Sequence, residues 1–180
     1  MKDITKNTVT AAFLTYEEAK PLLRLMLRQP AEDDAIKEAY LDLEKYVSIY
    51  KDPFSAPVTQ ELLNLWHVSA QEIFEAAEQN TRKKLKILDL GVFSALTADV
   101  GGGSFLAMPD VLKSIFGEKD LTIIPSSIHE ILIFNAYMDL EKLTELVNEV
   151  NADPSCFSDP SEVLSSHPYF YNAASNTVAA

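Results

Sequence analysis

Four polar side chains crowd one short part of the stretch LTIIPSSIHEILIFN: Ser126, Ser127, His129 and Glu130. Acyl-transfer enzymes combine a serine nucleophile with a histidine base and a carboxylate, so these residue types could do that chemistry. The same groups could also hydrogen-bond a small polar ligand. We call residues 125–130 the PSSIHE segment and treat it as the candidate site for hydrolysis or small-molecule binding.

The spacing of these residues favours a structural role over a covalent one. On a strand, His129 and Glu130 would point to opposite faces, so the carboxylate could not orient the imidazole. Ser127 and His129 would share a face but lie about 6 to 7 Å apart, too far for direct proton transfer. Ser127 and Glu130 have capping-box spacing, and Pro125 would end the preceding strand. We interpret the segment as a wide turn, or one turn of helix, between two strands, running through Ser126 and Ser127.

Other site chemistries find little support in the residue pattern. His67, His129 and His167 are isolated in sequence, and nothing in their spacing predicts that they converge on a metal with Glu130. One cysteine, Cys156, excludes a disulfide framework and a cysteine-based zinc site. The glycine-rich loop VGGGS at 100–104 is followed by no Lys-Ser/Thr pair, so we interpret it as a hairpin loop instead of a phosphate loop. We expect no cofactor and no metal.

Composition limits the partners. The net charge of −12 argues against direct binding to nucleic acid, which requires a Lys/Arg footprint, and against anionic membrane surfaces. The start MKDITKNTVT has no apolar signal-peptide core, and no apolar run approaches the length of a membrane span. The cysteine content is typical of a reducing compartment. We therefore expect a soluble, cytoplasmic protein.

Hydrophobic periodicity predicts a helical N-terminal region over residues 1–51. A weak alternation predicts a strand at Val9–Leu14, and Thr15 with Glu18 has capping-box spacing before an apolar stripe that ends at Pro30. A second helix is predicted from a stripe at steps of three and four residues: Ile36, Tyr40, Leu43, Val47 and Tyr50. The region is thus predicted to be a strand plus a helical hairpin, either packed on the main domain or separate from it.

Residues 52–171 are predicted to form the main domain. A short helix and a corner precede a helix capped by Ser69 and Glu72, which ends near Asn80. Strands are predicted from about Leu90 to Ala98 and over 104–108, followed by a short helix between Pro109 and Gly117 and by the strands LTII and EILIF. A final amphipathic helix has Asp139 as its cap and an apolar stripe of Leu140, Leu143, Leu146, Val147 and Val150.

The remaining features concern the tail and the basic residues. The tail is predicted to hold one helical turn near 161–164, a short extended piece at 169–171 and a loose end at 172–180. One basic cluster, which we interpret as a solvated flank that keeps a strand from aggregating, comprises Arg82, Lys83, Lys84 and Lys86. Together the elements predict an α+β fold, a mostly antiparallel sheet with the N-terminal helices packed against it.

The stretches GGSFLAMPDVLKSIFG, LTIIPSSIHEILIF and EVLSSHPYFY resemble an uncharacterised bacterial family, common in anaerobic Firmicutes and known as a domain of unknown function. Its members carry a similar L/I-P-S-S-I-H-E signature, and the resemblance covers about residues 58–171. His67 stands where the family pattern has glycine, Arg82 stands where it has proline, and the first 50 residues match poorly. The resemblance implies this α+β layout and no activity.

We therefore expect a non-enzymatic, cytoplasmic protein-interaction module that works through an unknown protein partner or by self-association. The alternative is a small-molecule-binding or hydrolytic domain centred on Ser126, Ser127, His129 and Glu130, with Asn80 or Thr81 as candidate neighbours. A third, weaker hypothesis is an acidic inhibitor of a nucleic-acid-binding protein.

Overall fold

The structure is a computed structural model that describes residues 14–135, 139–153 and 159–180. The predicted strand Val9–Leu14 lies outside these residues except for Leu14, and Cys156 also lies outside them.

The N-terminal part forms a four-stranded antiparallel sheet, sheet A, around one long central strand, β3. Strand β1 pairs along one side of β3, while β2 and β4 pair with the first and second halves of its other side. The strands of sheet A are β1 Leu23–Arg28, β2 Lys37–Tyr40, β3 Leu43–Lys51 and β4 Phe54–Pro57.

The second sheet, sheet C, has six strands in the order β10-β9-β7-β8-β6-β5, and every pairing is antiparallel. Strand β7 pairs with β8 on one side and β9 on the other, so the PSSIHE segment lies in the middle of the sheet. The strands are β5 Lys86–Asp89, β6 Ser94–Thr97, β7 Leu121–Ser127, β8 Glu130–Phe134, β9 Tyr169–Asn172 and β10 Thr177–Ala179.

Five α-helices in the described residues accompany the sheets. Capping boxes open two of them, Thr15 with Glu18 and Ser69 with Glu72, as their spacing predicted. The helices are α1 Tyr16–Ala19, α2 Gln60–Trp66, α3 Ala70–Arg82, α4 Pro109–Phe116 and α5 Leu140–Ala152, with 3₁₀ turns at Lys20–Leu22, Gly102–Ala107 and Pro160–Glu162. This α+β architecture with antiparallel sheets confirms the predicted fold class.

The two sheets share one main hydrophobic core. Leucines of β1 and apolar residues of β3 pack in the same cluster as Ile123 of β7 and Ile131 of β8. Neighbouring residues of β7 point to opposite faces, so Ile124 joins a second cluster with Leu143 and Val147 of α5. Val150, predicted to belong to the same stripe, remains 37% exposed. Helix α5 therefore covers the face of sheet C that turns away from the main core.

The helical hairpin predicted within residues 1–51 is wrong, because residues 23–51 contain the strands β1, β2 and β3. Val47 and Ile49, both β-branched, face the core from β3, while Tyr46 and Ser48 occupy its opposite face. The helical stripe was a coincidence of spacing that long-range pairing overrode. The predicted boundary at residues 51 and 52 falls in the β3–β4 hairpin, since Lys51 pairs with Phe54.

Three further predictions need correction. Residues 104–108, predicted as a strand after a glycine hairpin, form most of a 3₁₀ turn that leads into α4. The predicted strand Leu90–Ala98 is a turn followed by β6. The loose end predicted for 172–180 folds back, because β10 pairs with β9 across a turn in which the Tyr171 hydroxyl donates to Asn176.

A partly buried ion pair joins the two halves of the chain. Arg24 of β1 donates from Nε and Nη2 to the two carboxylate oxygens of Asp99, at 3.1 and 2.9 Å. Asp99 follows β6, so the pair links sheet A to sheet C. Burial opposes ionisation of Asp99, but hydrogen bonds and charge from Arg24 outweigh it and lower the pKa of that carboxyl.

No helix among residues 14–135, 139–153 and 159–180 has the length and apolar character needed to cross a membrane.

His67 ends α2 in the left-handed conformation, with φ of 55° and ψ of 42°, at a position where glycine is the usual residue. We expect His67→Gly to stabilise the fold by about 0.5 to 1 kcal/mol, because glycine adopts this conformation without a side-chain penalty. Urea unfolding measures the change. Lys83→Gly is the matched control, since Lys83 ends α3 with a right-handed φ of −65° and should lose stability instead. Equal effects at the two positions would contradict the explanation.

Candidate functional site

The PSSIHE segment forms a tight hairpin between β7 and β8, not the wide turn or helical turn predicted from its sequence. Ser127 pairs with Glu130, so the loop contains only Ile128 and His129. The register with β8 shifts between Ile124 and Ser127, where Pro125 cannot donate to the ladder. Pro125 therefore disturbs the pairing of β7 without ending the strand.

The serine hydroxyls are engaged in bonds that shape this hairpin. Ser126 Oγ donates to Glu130 Oε1 at 2.8 Å, and Ser127 Oγ accepts from the backbone N–H of His129 at 3.0 Å. The imidazole of His129 is half-exposed, with Nε2 4.0 Å from Glu162 Oε1. The structure thus joins Ser126 with Glu130 and Ser127 with the His129 amide, whereas a catalytic arrangement would need a serine hydroxyl on the imidazole.

The hairpin tip is held between two other segments. The N–H of Gly103 donates to the carbonyl oxygen of Ile128 at 3.0 Å, and the N–H of Ile128 donates to the carbonyl oxygen of Glu162 at 2.9 Å. A side chain at Gly102 would place its Cβ 2.0 Å from the carbonyl oxygen of His129. The glycines are therefore required for close backbone approach.

A second polar cluster links the β2–β3 turn to the start of β9. Asp42 accepts hydrogen bonds at both carboxylate oxygens, from the Tyr169 hydroxyl at 2.7 Å and from His167 Nε2 at 3.0 Å. The other ring nitrogen of His167 lies 2.9 Å from the carbonyl oxygen of Pro168. Both ring nitrogens therefore face oxygen acceptors, and the imidazole acts as a bridge between sheets A and C.

This environment changes the acidity of the cluster. Burial opposes ionisation of Asp42, but the hydrogen bonds from Tyr169 and His167 together outweigh it and lower the pKa of its carboxyl. Burial, with the negative charge of Asp42 nearby, raises the pKa of the Tyr169 phenol. Sequence reasoning missed the cluster, because Asp42 lies more than a hundred positions from its partners and no local pattern connects them.

The other residues considered from sequence have structural partners. Asn80 donates to the carbonyl oxygen of Leu23, and Thr81 Oγ1 accepts from the N–H of Leu25, so both side chains bond to β1. His67 is the residue at which α2 ends. Within the described part of the chain, no three His, Cys, Asp or Glu side chains are grouped as metal ligands would be.

A polar cavity of about 650 Å³ opens on sheet A. Arg28, in its wall, donates to Asp33 and Glu44 and lies over the Tyr46 ring at 4.3 Å from its centroid. Two carboxylates therefore already neutralise the guanidinium of Arg28, which makes it poorly suited to bind an anionic ligand. The lining comprises Arg28, Asp33, Asp34, Ala35, Tyr46, Ser48, Ser55, Pro57, Thr59, Gln60 and Glu61, with no residue of the PSSIHE segment.

Strand β5 forms one edge of sheet C and leaves its apolar side chains uncovered. Ile87 and Leu88 point to opposite faces of the strand, yet they are 48% and 57% exposed. The turn that follows continues this surface, with Leu90 at 50% and Val92 at 80% exposure. We call Lys86–Asp89 with Leu90 and Val92 the β5 edge. Sequence analysis missed β5, because the predicted strand began at about Leu90. The basic cluster at 82–86 marked the neighbourhood of a strand, but the exposure of β5 depends on packing.

The part of the chain that contains the PSSIHE hairpin is similar to a known protein family. Residues 92–173 match the model of a family of unknown function, DUF5688. This match confirms the resemblance to an uncharacterised domain family. The matched residues 92–173 include the glycine turn, the PSSIHE hairpin and Glu162, and the hairpin contacts both of the others. No curated protein and no solved structure matches the chain.

Gly102→Ala tests whether the glycine turn must touch the hairpin. We expect a loss of about 3 kcal/mol or more in the free energy of unfolding, because the new Cβ would collide with the carbonyl oxygen of His129. Urea unfolding checks this. Gly91→Ala is the control: its φ of 81° is unfavourable for alanine, but no atom lies within 4 Å of the new Cβ, so about 1 kcal/mol should be lost. The contact would be refuted if Gly102→Ala lost no more free energy of unfolding than Gly91→Ala.

Asp42→Asn tests the polar bridge between the sheets. Because the folded-state pKa of Asp42 is lowered, its stabilisation is present above the unfolded pKa near 3.8 and is lost as pH falls through the folded value. We expect the variant to lose about 1 kcal/mol at pH 7, a modest value for a part-exposed carboxylate. The difference from wild type should shrink below about pH 4. Asp34→Asn, at an exposed carboxylate, should show neither effect. A deficit that persists in acid would exclude the bridge as its cause.

Proposed function

We propose that this protein is a non-enzymatic, cytoplasmic interaction module that receives an extended segment of a partner at the β5 edge. The observation that carries the proposal is an edge strand whose apolar side chains are exposed on both faces, Ile87 and Leu88 among them. Exposed apolar edge strands readily pair with other chains, and strand addition is a recurring mode of peptide recognition.

Strand geometry assigns the backbone groups that a partner would meet. The N–H of Leu90 donates to the carbonyl oxygen of Phe93, and the β5–β6 register continues from that pair. Hydrogen-bonded pairs alternate in an antiparallel ladder, so Lys86 and Leu88 bond to β6 while Ile87 and Asp89 face outward. The β5 edge thus presents the N–H and C=O groups of Ile87 and Asp89 to a docking strand.

The edge of β1 differs from that of β5 because a helix covers it. Helix α3 lies along β1, where Thr81 Oγ1 accepts from the N–H of Leu25 and Asn80 donates to the carbonyl oxygen of Leu23. Among residues 14–135, 139–153 and 159–180 no element covers β5 in this way, and all four residues of the strand are exposed. This difference favours β5 as the docking edge.

The PSSIHE segment fits this proposal as a structural hairpin. Ser126 and Glu130 bond to each other, and Ser127 bonds to the backbone of the turn. These bonds engage both serine hydroxyls, and neither of them joins a serine to the His129 imidazole that a hydrolase would use as its base. In our proposal the segment anchors the glycine turn, and the docking surface lies at the sheet edge.

Ile87→Pro tests the docking edge. Proline removes the outward N–H of residue 87 without removing a bond to β6, so stability should change by less than about 1 kcal/mol. We expect capture from the native host to lose the bound partner in this variant, because strand addition needs that donor. A photo-crosslinking residue at position 88 should label the same partner only when residue 87 is isoleucine.

Lys119→Ala is the matched control, since it changes an exposed residue in the loop before β7. It should retain the partner. Equal capture and crosslinking by the wild type and by Ile87→Pro would disprove docking at β5.

A further inference from the structure

We infer that the strand received at the β5 edge is an extended acidic and apolar segment of another protein, and not a second copy of this chain. This inference rests on the docking proposed above and names the class of partner. Three observations carry it: local charge, the parity of the outward backbone groups, and the order of side chains along β5.

The residues that lead into and begin β5 are basic, although the whole chain is acidic, and Asp89 carries the one negative charge of the β5 edge. The protein carries a net charge of −12, yet four basic residues lie within residues 82–86. Arg82 is held by Glu78 and Asp110, and Lys84 lies 3.7 Å from Asp99. Lys83 and Lys86 are exposed next to the apolar edge, so they favour a partner with carboxylates.

The parity of the outward groups disfavours a second copy. Only odd-numbered residues of β5 have their N–H and C=O groups on the open side of the strand. Two copies of β5 can therefore form an antiparallel ladder only if odd-numbered residues lie opposite odd-numbered residues. If Ile87 lies on the two-fold axis, Asp89 faces Leu85 of the other copy. If Leu88 lies on the axis, Asp89 faces Ile87 of the other copy. Shifting the axis to Lys86 or to Asp89 brings like charges together. None of these registers pairs Lys86 with Asp89, so a second copy leaves the charges of β5 unmatched.

The order of side chains defines the segment that would fit. Lys86 and Leu88 share one face, and Ile87 and Asp89 share the other. An incoming strand matches them with a carboxylate opposite Lys86 and apolar side chains opposite Ile87 and Leu88. Leu90 and Val92, both exposed, extend the apolar contact beyond the strand.

A capped, fluorescent peptide of sequence Thr-Val-Val-Glu-Val-Glu is the probe, and Thr-Val-Val-Lys-Val-Lys is its control. We expect fluorescence anisotropy of the full-length protein to show about tenfold tighter binding of the glutamate peptide. Lys86→Glu should reverse this preference. Lys119→Glu makes the same change in net charge in the loop before β7 and should preserve it. Ile87→Pro should weaken binding of both peptides.

The outcomes separate this inference from the proposed function. Equal binding of the two peptides, or an unchanged preference in Lys86→Glu, overturns the acidic partner. Sedimentation velocity of the unliganded protein adds a second criterion. A dimer that Ile87→Pro converts to monomer would show that the edge docks a second copy, which refutes the inference and retains the docking function. Peptide binding that Ile87→Pro leaves intact refutes both.

Discussion

Three consecutive glycines allow the backbone to touch both sheets at one point, and much of the fold depends on this contact. A Cβ at Gly101 would lie 2.7 Å from the carbonyl oxygen of Leu25 on β1. At Gly102 it would lie 2.0 Å from the carbonyl oxygen of His129 in the β7–β8 hairpin. The side-chain-free turn therefore fills the gap between sheets A and C. The Arg24–Asp99 ion pair, two residues before Gly101, fixes the same junction from the side.

Local signals in the sequence were sufficient to predict several helix ends and the β7–β8 turn. Capping boxes at Thr15 and Ser69 marked helix starts, because a side-chain oxygen and a carboxylate three residues later satisfy free backbone donors. Proline at the start and glycine at the end bounded α4. Apolar runs on both sides of the PSSIHE segment correctly predicted two strands and a turn. Each of these features is decided by neighbours within a few residues.

Features decided by distant residues could not be predicted in the same way. The β2–β3 turn uses Leu41 at a φ of 56° without glycine or asparagine, so no turn signal separated the two strands. Val47 sits at a helical spacing that is equally compatible with β3, and only pairing with β1 decides between them. The glycine-rich loop was predicted to be a hairpin. That prediction failed because the glycines are there for close contact with His129, which lies in a hairpin further along the chain. The turn between β7 and β8 was predicted at the right place, but its tight form and its hydrogen-bond partners depend on contacts that the sequence pattern does not show.

The match to the family model begins at residue 92, inside the turn that joins β5 to β6. One strand of that hairpin thus lies within the matched region and the other lies outside it. Strand β6 pairs with β8 in the interior of sheet C, and its residues are constrained by that packing. In the part of the chain that the structure describes, strand β5 pairs with β6 alone, and its side chains contribute little to the core. Substitutions along β5 should therefore cost little stability, whereas substitutions along β6 would disturb the packing of sheet C.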